Sequence, residues 1–202
     1  MQQSITSFPV PASPYASQGA PPVGSGGFLD PQRVAAGFGV QPGMQIADFG
    51  SGAGYFTIIL AKMVGDGGVV TAVDILNSAL ETLQSKAKVG GLSNIQTVRS
   101  NLEVLGSSGL PNDSQDMVLL ANVLFQNPSK GPIIAEARRA LKPGGSLIVI
   151  DWRKGVNGFG PPDALKEDPE EIKQLVMAND GLRFSHDIDA GIFHFGQIYK
   201  KI

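Results

Sequence analysis

Apolar residues in this chain gather into short blocks, and the spacing inside each block announces its element. "MQIADF" (44–49), "VVTAVD" (69–74), "NIQTVRS" (94–100), "DMVLLAN" (116–122) and "SLIVIDW" (146–152) are runs of strand length. Most are apolar almost throughout, as strands are when helices cover both faces of a parallel sheet. Helical stretches lie between them. "YFTIILAKMV" (55–64) is stopped by "GDGG". A second helix begins near Ser78, with Glu81 as the partner of a capping box, and repeats Leu76, Leu80, Leu83 and Ala87 at helical spacing before Gly90 and Gly91. A third runs from about Ser129 to Leu141, with Ile133, Ala137 and Leu141 on one stripe, and "KPGG" turns the chain into the fifth strand.

The two ends are less regular. Residues 1–27 are rich in Pro, Ser, Gly and Gln and read as a loosely ordered arm, in which Phe8 and Tyr15 are candidates for docking over a pocket. Order is expected from residue 28: Asp30 caps a short helix with Pro31 in its first turn, and Gly39 ends it. After the fifth strand comes a loop, then a helix capped by Asp168 with Pro169 just inside. Two closing strands follow, with Gly191 as their hairpin turn. The pattern predicts one α/β domain over 28–202: a mostly parallel sheet between two helical layers, with right-handed connections and an antiparallel edge hairpin.

Composition narrows the function. The chain has 202 residues, 42% hydrophobic and 17% charged, with a formal net charge of −2. No dense Lys/Arg block appears, so a broad nucleic-acid surface has no support. The absence of cysteine excludes disulfides, thiolate catalysis and Cys-rich metal sites. His186 and His194 lack H-E-x-x-H spacing; no metal is expected, and both read as packing or surface residues. The N-terminus does not resemble a signal peptide, and no apolar run approaches the roughly 20 residues of a membrane span. A cytoplasmic protein is the default expectation.

The candidate chemistry sits in "IADFGSGAGYFT" (46–57), where an acid and three glycines lead from a strand into a helix. The spacing is G-x-G-x-G, not the G-x-G-x-x-G of dinucleotide sites, and no G-K-[ST] follows as in a P-loop. Asp48 beside the first glycine is a poor neighbour for phosphates and suits a cationic or hydroxylated ligand. Asp74, ending strand two, is placed to accept hydrogen bonds from two adjacent ribose hydroxyls. Its alternative is a helix cap; for Asp48 the alternative is loop stabilisation.

An ordered series of segments resembles the class I S-adenosylmethionine-dependent methyltransferases. "DFGSGAGYFT" is similar to the family's first motif and "VTAVDI" to its strand-two acid motif. "VRSNLEVL", "LPNDSQDMVLLANVLFQ" and "LKPGGSLIVIDW" are similar to the ends of strands three, four and five. The resemblance covers roughly residues 30–152. It implies a Rossmann-like three-layer α/β/α sandwich with strand order 3-2-1-4-5-7-6, and S-adenosyl-L-methionine as cofactor. It further implies that the backbone around Gly50–Gly52 holds the methionine portion and that Asp74 holds the ribose, with Asp48, Ser51 and Gly54 in the same cofactor-binding set, Asp48 in direct or water-mediated contact. Ile75 and Leu102 would lie by the adenine. Asn101 stands where the family commonly has an Asp to receive the adenine amine, and an amide oxygen can accept the same bond. Asn122 sits where the family places residues near the methionine portion and acceptor; a loop-capping amide is its alternative.

Acceptor-side groups are expected at the ends of strands four and five. Phe125, Gln126, Trp152 and Arg153 are lining candidates, and Trp152 either walls the acceptor or simply packs. Asp151 is a weak candidate for a proton-accepting role, with solvent contact or a salt link to Arg153 preferred. The N/D-P-P-Y/F signature of relatives that methylate amino groups of nucleic acids and proteins is missing, since strand four ends in "ANVLF". The expectation is methyl transfer to a small-molecule acceptor, chiefly by proximity and orientation. Asp48 then acts as a positioning residue, because a carboxylate held tightly against the sulfonium favours the ground state. A non-catalytic cofactor-binding regulator and a protein or RNA methyltransferase stay open as alternatives.

Overall fold

Asp30 accepts the amide hydrogens of Gln32 and Arg33 at 3.0 and 3.2 Å, and Pro31 fills a position that needs no amide. This cap starts α1 (Pro31–Ala35), first element of the structure, a computed structural model that describes residues 29–202. The arm expected over 1–27 lies outside the described residues. Strands and helices then alternate: β1 (Gln45–Phe49), α2 (Tyr55–Val64), β2 (Val69–Asp74), α3 (Asn77–Val89) and β3 (Ile95–Arg99). Next come β4 (Gln115–Ala121), α4 (Lys130–Ala140), β5 (Leu141–Trp152), α5 (Pro169–Met177), β6 (Leu182–Ile188) and β7 (His194–Lys201).

The seven strands form one sheet in the order β3-β2-β1-β4-β5-β7-β6. β1 to β5 pair in parallel, and β7 runs antiparallel between β5 and β6. Fold class and edge hairpin are those the sequence pattern predicts, and the strand order is the one the family resemblance implies. One face packs Phe49, Val118, Leu120 and Val149 beneath Ile133 and Ile134 of α4 and Ile172 and Val176 of α5. The other packs Ile46, Val70, Leu119 and Ile148 beneath Val34 of α1 and Phe56 and Leu60 of α2. Both faces are dry, which is why the strands carry little alternation.

Two local expectations are corrected. α3 begins at Asn77, and no capping box forms at Ser78. Asp74 Oδ1 accepts the Leu76 amide at 2.9 Å and so fixes the chain one residue earlier, while Glu81 accepts from the Asn77 side chain at 2.6 Å. Leu141 belongs to β5 rather than to α4, and "KPGG" is an irregularity inside that strand. Pairing with β4 jumps from Gln115–Leu141 to Met117–Ser146 across it.

The sheet order positions the site. From β1 the chain winds outward through β2 and β3, then returns to β4 on the opposite side of β1. The connections leaving β1 and β4 therefore diverge, opening a crevice at the carboxyl ends of the strands.

Candidate functional site

The three glycines at the end of β1 all have positive φ, yet each answers a different steric demand. A Cβ on Gly50 would lie 2.5 Å from the Val123 side chain, and one on Gly54 would lie 2.2 Å from Leu83 of α3. These two let the turn press against the β4 loop and α2 press against α3. Gly52 has φ 52°, and a Cβ there would meet nothing within 4 Å. Its absent side chain leaves open space over the turn. α2 starts at Gly54 without a side-chain cap, and the Thr57 amide of its first turn faces the Asp48 carboxyl, which leaves the amides before it for water or an anionic ligand group.

Asp74 joins this turn directly. Its Oδ2 accepts the Gly52 amide at 2.8 Å and its Oδ1 accepts the Leu76 amide at 2.9 Å. Each oxygen keeps a further lone pair for a ligand hydroxyl. Asp48, only 2% exposed, lies beneath the turn and accepts from Thr57 Oγ1 of α2 at 2.5 Å. Burial pushes its carboxyl up to about 6; the Thr57 bond opposes this, and the charge of Asp74 adds to it.

Two oxygens at the crevice are buried without partners: Ser51 Oγ after β1 and Asn122 Oδ1 after β4. Unmatched buried polar atoms are rare in folded proteins. Asn122 is also held at φ 58°, and its backbone carbonyl, not its amide oxygen, is bonded by Gln126 Nε2 at 3.0 Å. On the other side, Leu102 is buried in the core below the loop after β3, and Ile75 is half-buried at the end of β2. Asn101 Oδ1 accepts the Glu103 amide at 3.0 Å, so part of its acceptor capacity already serves the loop.

At the acceptor end the fold assigns Asp151 a definite task. Its Oδ2 accepts the amides of Leu124 and Phe125 at 2.9 and 3.1 Å, and its Oδ1 accepts that of Trp152 at 2.8 Å. The expected solvent contact or Arg153 link is replaced by these three bonds, because the chain after β4 folds back as a 3-10 turn (Leu124–Gln126) over the end of β5. Burial raises the carboxyl to about 7 against those bonds, and Glu167 adds to the rise. Phe125 is thereby held half-buried and Gln126 exposed at the lip. Trp152 meets His194 at 4.0 Å between centroids, the rings tilted by 37°, and leans on Phe159 at 5.9 Å. Arg153 donates its amide to Phe193 O at 2.8 Å and its Nε to His194 O at 3.4 Å.

The Methyltransferase domain family matches residues 41–199. The chain belongs to the class I S-adenosylmethionine-dependent methyltransferases. It is similar to the ubiquinone/menaquinone biosynthesis C-methyltransferase UbiE of Shewanella halifaxensis, 34% identical over 117 residues, 57% of this chain and 45% of the relative. The corresponding protein of Shewanella piezotolerans is 33% identical over 153 residues, 75% of this chain and 58% of the relative. The chain thus spans about half the length of the curated relatives it matches. A crystal structure of a SAM-dependent methyltransferase from Aquifex aeolicus superposes with a TM-score of 0.78 at 27% identity, covering 87% of this chain and 91% of that one.

Two polar residues, His194 and Lys166, are buried here without having been singled out as site residues from the sequence. His194, read there as packing or surface, is 3% exposed and has no partner at either ring nitrogen. Lys166 is buried beside it and donates to the Val156 carbonyl. The available signal was "FHF" opening a strand that pairs with "IDW"; nothing local reveals which strand ends meet. Among the described residues no helix is long and apolar enough to cross a membrane, and no group of three His, Asp or Glu side chains is arranged to hold a metal.

Proposed function

We propose that this protein transfers a methyl group from S-adenosylmethionine to a carbon atom of a small, ring-bearing acceptor. The observation that carries the reading is the Gly52–Asp74 hydrogen bond, which makes the turn after β1 and the acid ending β2 one continuous surface. The open space over Gly52 and the unpartnered Ser51 Oγ and Asn122 Oδ1 suit such a cofactor. The carbon acceptor is inferred from the named activity of the Shewanella relatives.

The cofactor supplies a methyl group activated by its own sulfonium charge. In this reading Asp74 binds the ribose hydroxyls through its remaining lone pairs, and Ile75 and Leu102 flank the adenine. Asn101 receives the adenine amine through its second lone pair. Asn122 accepts from the ammonium of the methionine portion, while Ser51 and the uncapped amides of α2 meet its carboxylate. Asp48 holds α2 through Thr57 and stays out of the sulfonium's reach, so it does not stabilise the ground state. Asp151 positions Phe125, and with Gln126, Trp152 and Arg153 the lip orients the acceptor in line behind the methyl.

Isothermal calorimetry with S-adenosylmethionine, S-adenosylhomocysteine and NAD tests the cofactor half of the proposal. Binding of the first two and none of NAD is expected; the opposite ranking removes it.

A further inference from the structure

Resting on the methyl-transfer reading above, the side chains beyond β4 bear on how the acceptor is held. Trp152 and His194 are direct partners across β5 and β7. Strand alternation puts both on the face that carries Ile148, Ile150 and Ile198. They lie at the same end of the sheet as Asn122, one and two strands beyond β4, or about 5 and 10 Å away at ordinary strand spacing. Phe159 leans on Trp152 and on Phe193, each at 5.9 Å between centroids. Beside Phe159 is a recess of about 450 Å³ walled by residues 157–163 and Lys166, with Trp152 and His194 behind that wall and not lining it.

His194 is held firmly by its backbone but not by its ring. The strand ladder and the Arg153 guanidinium fix its main chain, whereas Nδ1 and Nε2 are both buried and unbonded. A neutral imidazole carries one donor and one acceptor, and a histidine kept only for packing normally satisfies at least one of them. Lys166 is the charged side chain acting on the ring; with burial first and that charge second, the imidazole is held down at about 4 and stays neutral. The result is a neutral hydrogen-bonding edge set among flat apolar surfaces.

We propose that His194 is an acceptor-holding residue: a free ring nitrogen accepts the hydrogen bond of a hydroxyl carried by a flat ring that packs against Trp152 and Phe159. Trp152, in ring contact with both His194 and Phe159, is the only tryptophan of the chain, so its fluorescence reports on a ligand that reaches those rings. The test compares p-cresol with 4-methylanisole, which has a similar shape but no hydroxyl donor, by titration of cofactor-free protein. About tenfold tighter binding of p-cresol is expected, as one neutral hydrogen bond provides. H194F keeps a ring and should abolish the preference; H194Q keeps an acceptor and should restore part of it. Equal affinities in the unaltered protein, or a preference that survives in H194F, overturns the proposal. The first of these outcomes decides even if H194F does not fold. Because these titrations need no cofactor, a failure to bind S-adenosylhomocysteine would strike the methyl-transfer reading separately.

Discussion

Asp74 and Gly52 are joined by a 2.8 Å hydrogen bond between a carboxylate at the end of one strand and an amide in the turn after its neighbour. Each is 22 positions from the other in sequence, yet the bond makes the position of the turn depend on the acid. With Leu76 bonded to the second oxygen, Asp74 orders both walls of the crevice before any ligand arrives.

Replacing Asp74 with Ala should therefore weaken S-adenosylmethionine binding by about 1–3 kcal/mol, the usual loss when a buried polar contact is left unmet. Calorimetry reads it. An unchanged dissociation constant would take Asp74 out of the ribose role.

The glycines should separate into two kinds. Gly54→Ala drives a methyl to 2.2 Å from Leu83 and should destabilise the fold by about 2–4 kcal/mol, through overpacking plus left-handed strain. Gly52→Ala meets nothing within 4 Å, so its stability loss should be only the strain, about 1–2 kcal/mol. Its cofactor affinity should fall instead. Urea unfolding and calorimetry on the two variants measure both axes, and equal behaviour would deny Gly52 its separate role.

Asn122→Gly should separate the same axes. Glycine accepts φ 58° without strain, which offsets the entropy it adds to the unfolded chain, so stability should hold to within about 1 kcal/mol. Loss of the amide oxygen should weaken cofactor binding. Tighter binding alongside higher stability would contradict the contact assigned to Asn122.

The buried carboxyls set a pH dependence whose sign is definite. Asp48 and Asp151 stand at about 6 and about 7 in the fold, raised from 3.8 first by burial. The folded chain therefore retains protons that the unfolded chain releases. The stability due to each is complete below about pH 4 and is lost as pH rises through the folded value, on the order of 3 kcal/mol for Asp48 and 4 kcal/mol for Asp151. D48N should flatten this fall when the urea midpoint of cofactor-free protein is followed from pH 4.5 to 7.5. Glu136 works in the other direction. Burial would raise it, but Arg139, Ser108 and the Gly106 amide outweigh that and bring it to about 2. Its contribution is present above about 4.5 and disappears as pH falls toward 2. E136Q should thus be less stable by about 2–4 kcal/mol at pH 7, with the gap closing in acid. A wild-type midpoint that climbs steadily from pH 4.5 to 7.5 would refute the first half.

How much was legible can be followed residue by residue. Asp30 with Pro31 and Asp168 with Pro169 mark their helix starts because the cap bonds reach only two or three residues along the chain. α2 is found at its sequence-predicted limits, between a glycine turn and a glycine stop. Ser78 with Glu81 had the letters of a capping box and did not form one, because the competing bond to the Leu76 amide comes from Asp74, outside the helix. Asp151 was misread for a similar reason: its three amide donors include two from the chain after β4, brought over it only when β4 and β5 pair.

The sequence by itself determined the alternation of strands and helices, the dry core of the sheet and the position of the glycine turn. All of these follow from side-chain period, backbone freedom and caps, which act over a few residues. Only the tertiary structure decided which buried polar atoms find partners. Asp74 meets Gly52, Asp48 meets Thr57 and Asp151 meets Leu124 through packing, while Ser51, Asn122 and His194 retain unmet nitrogen or oxygen atoms. Hydrogen bonds close over about 3 Å, and which groups come that near is settled by strand order rather than by distance along the chain.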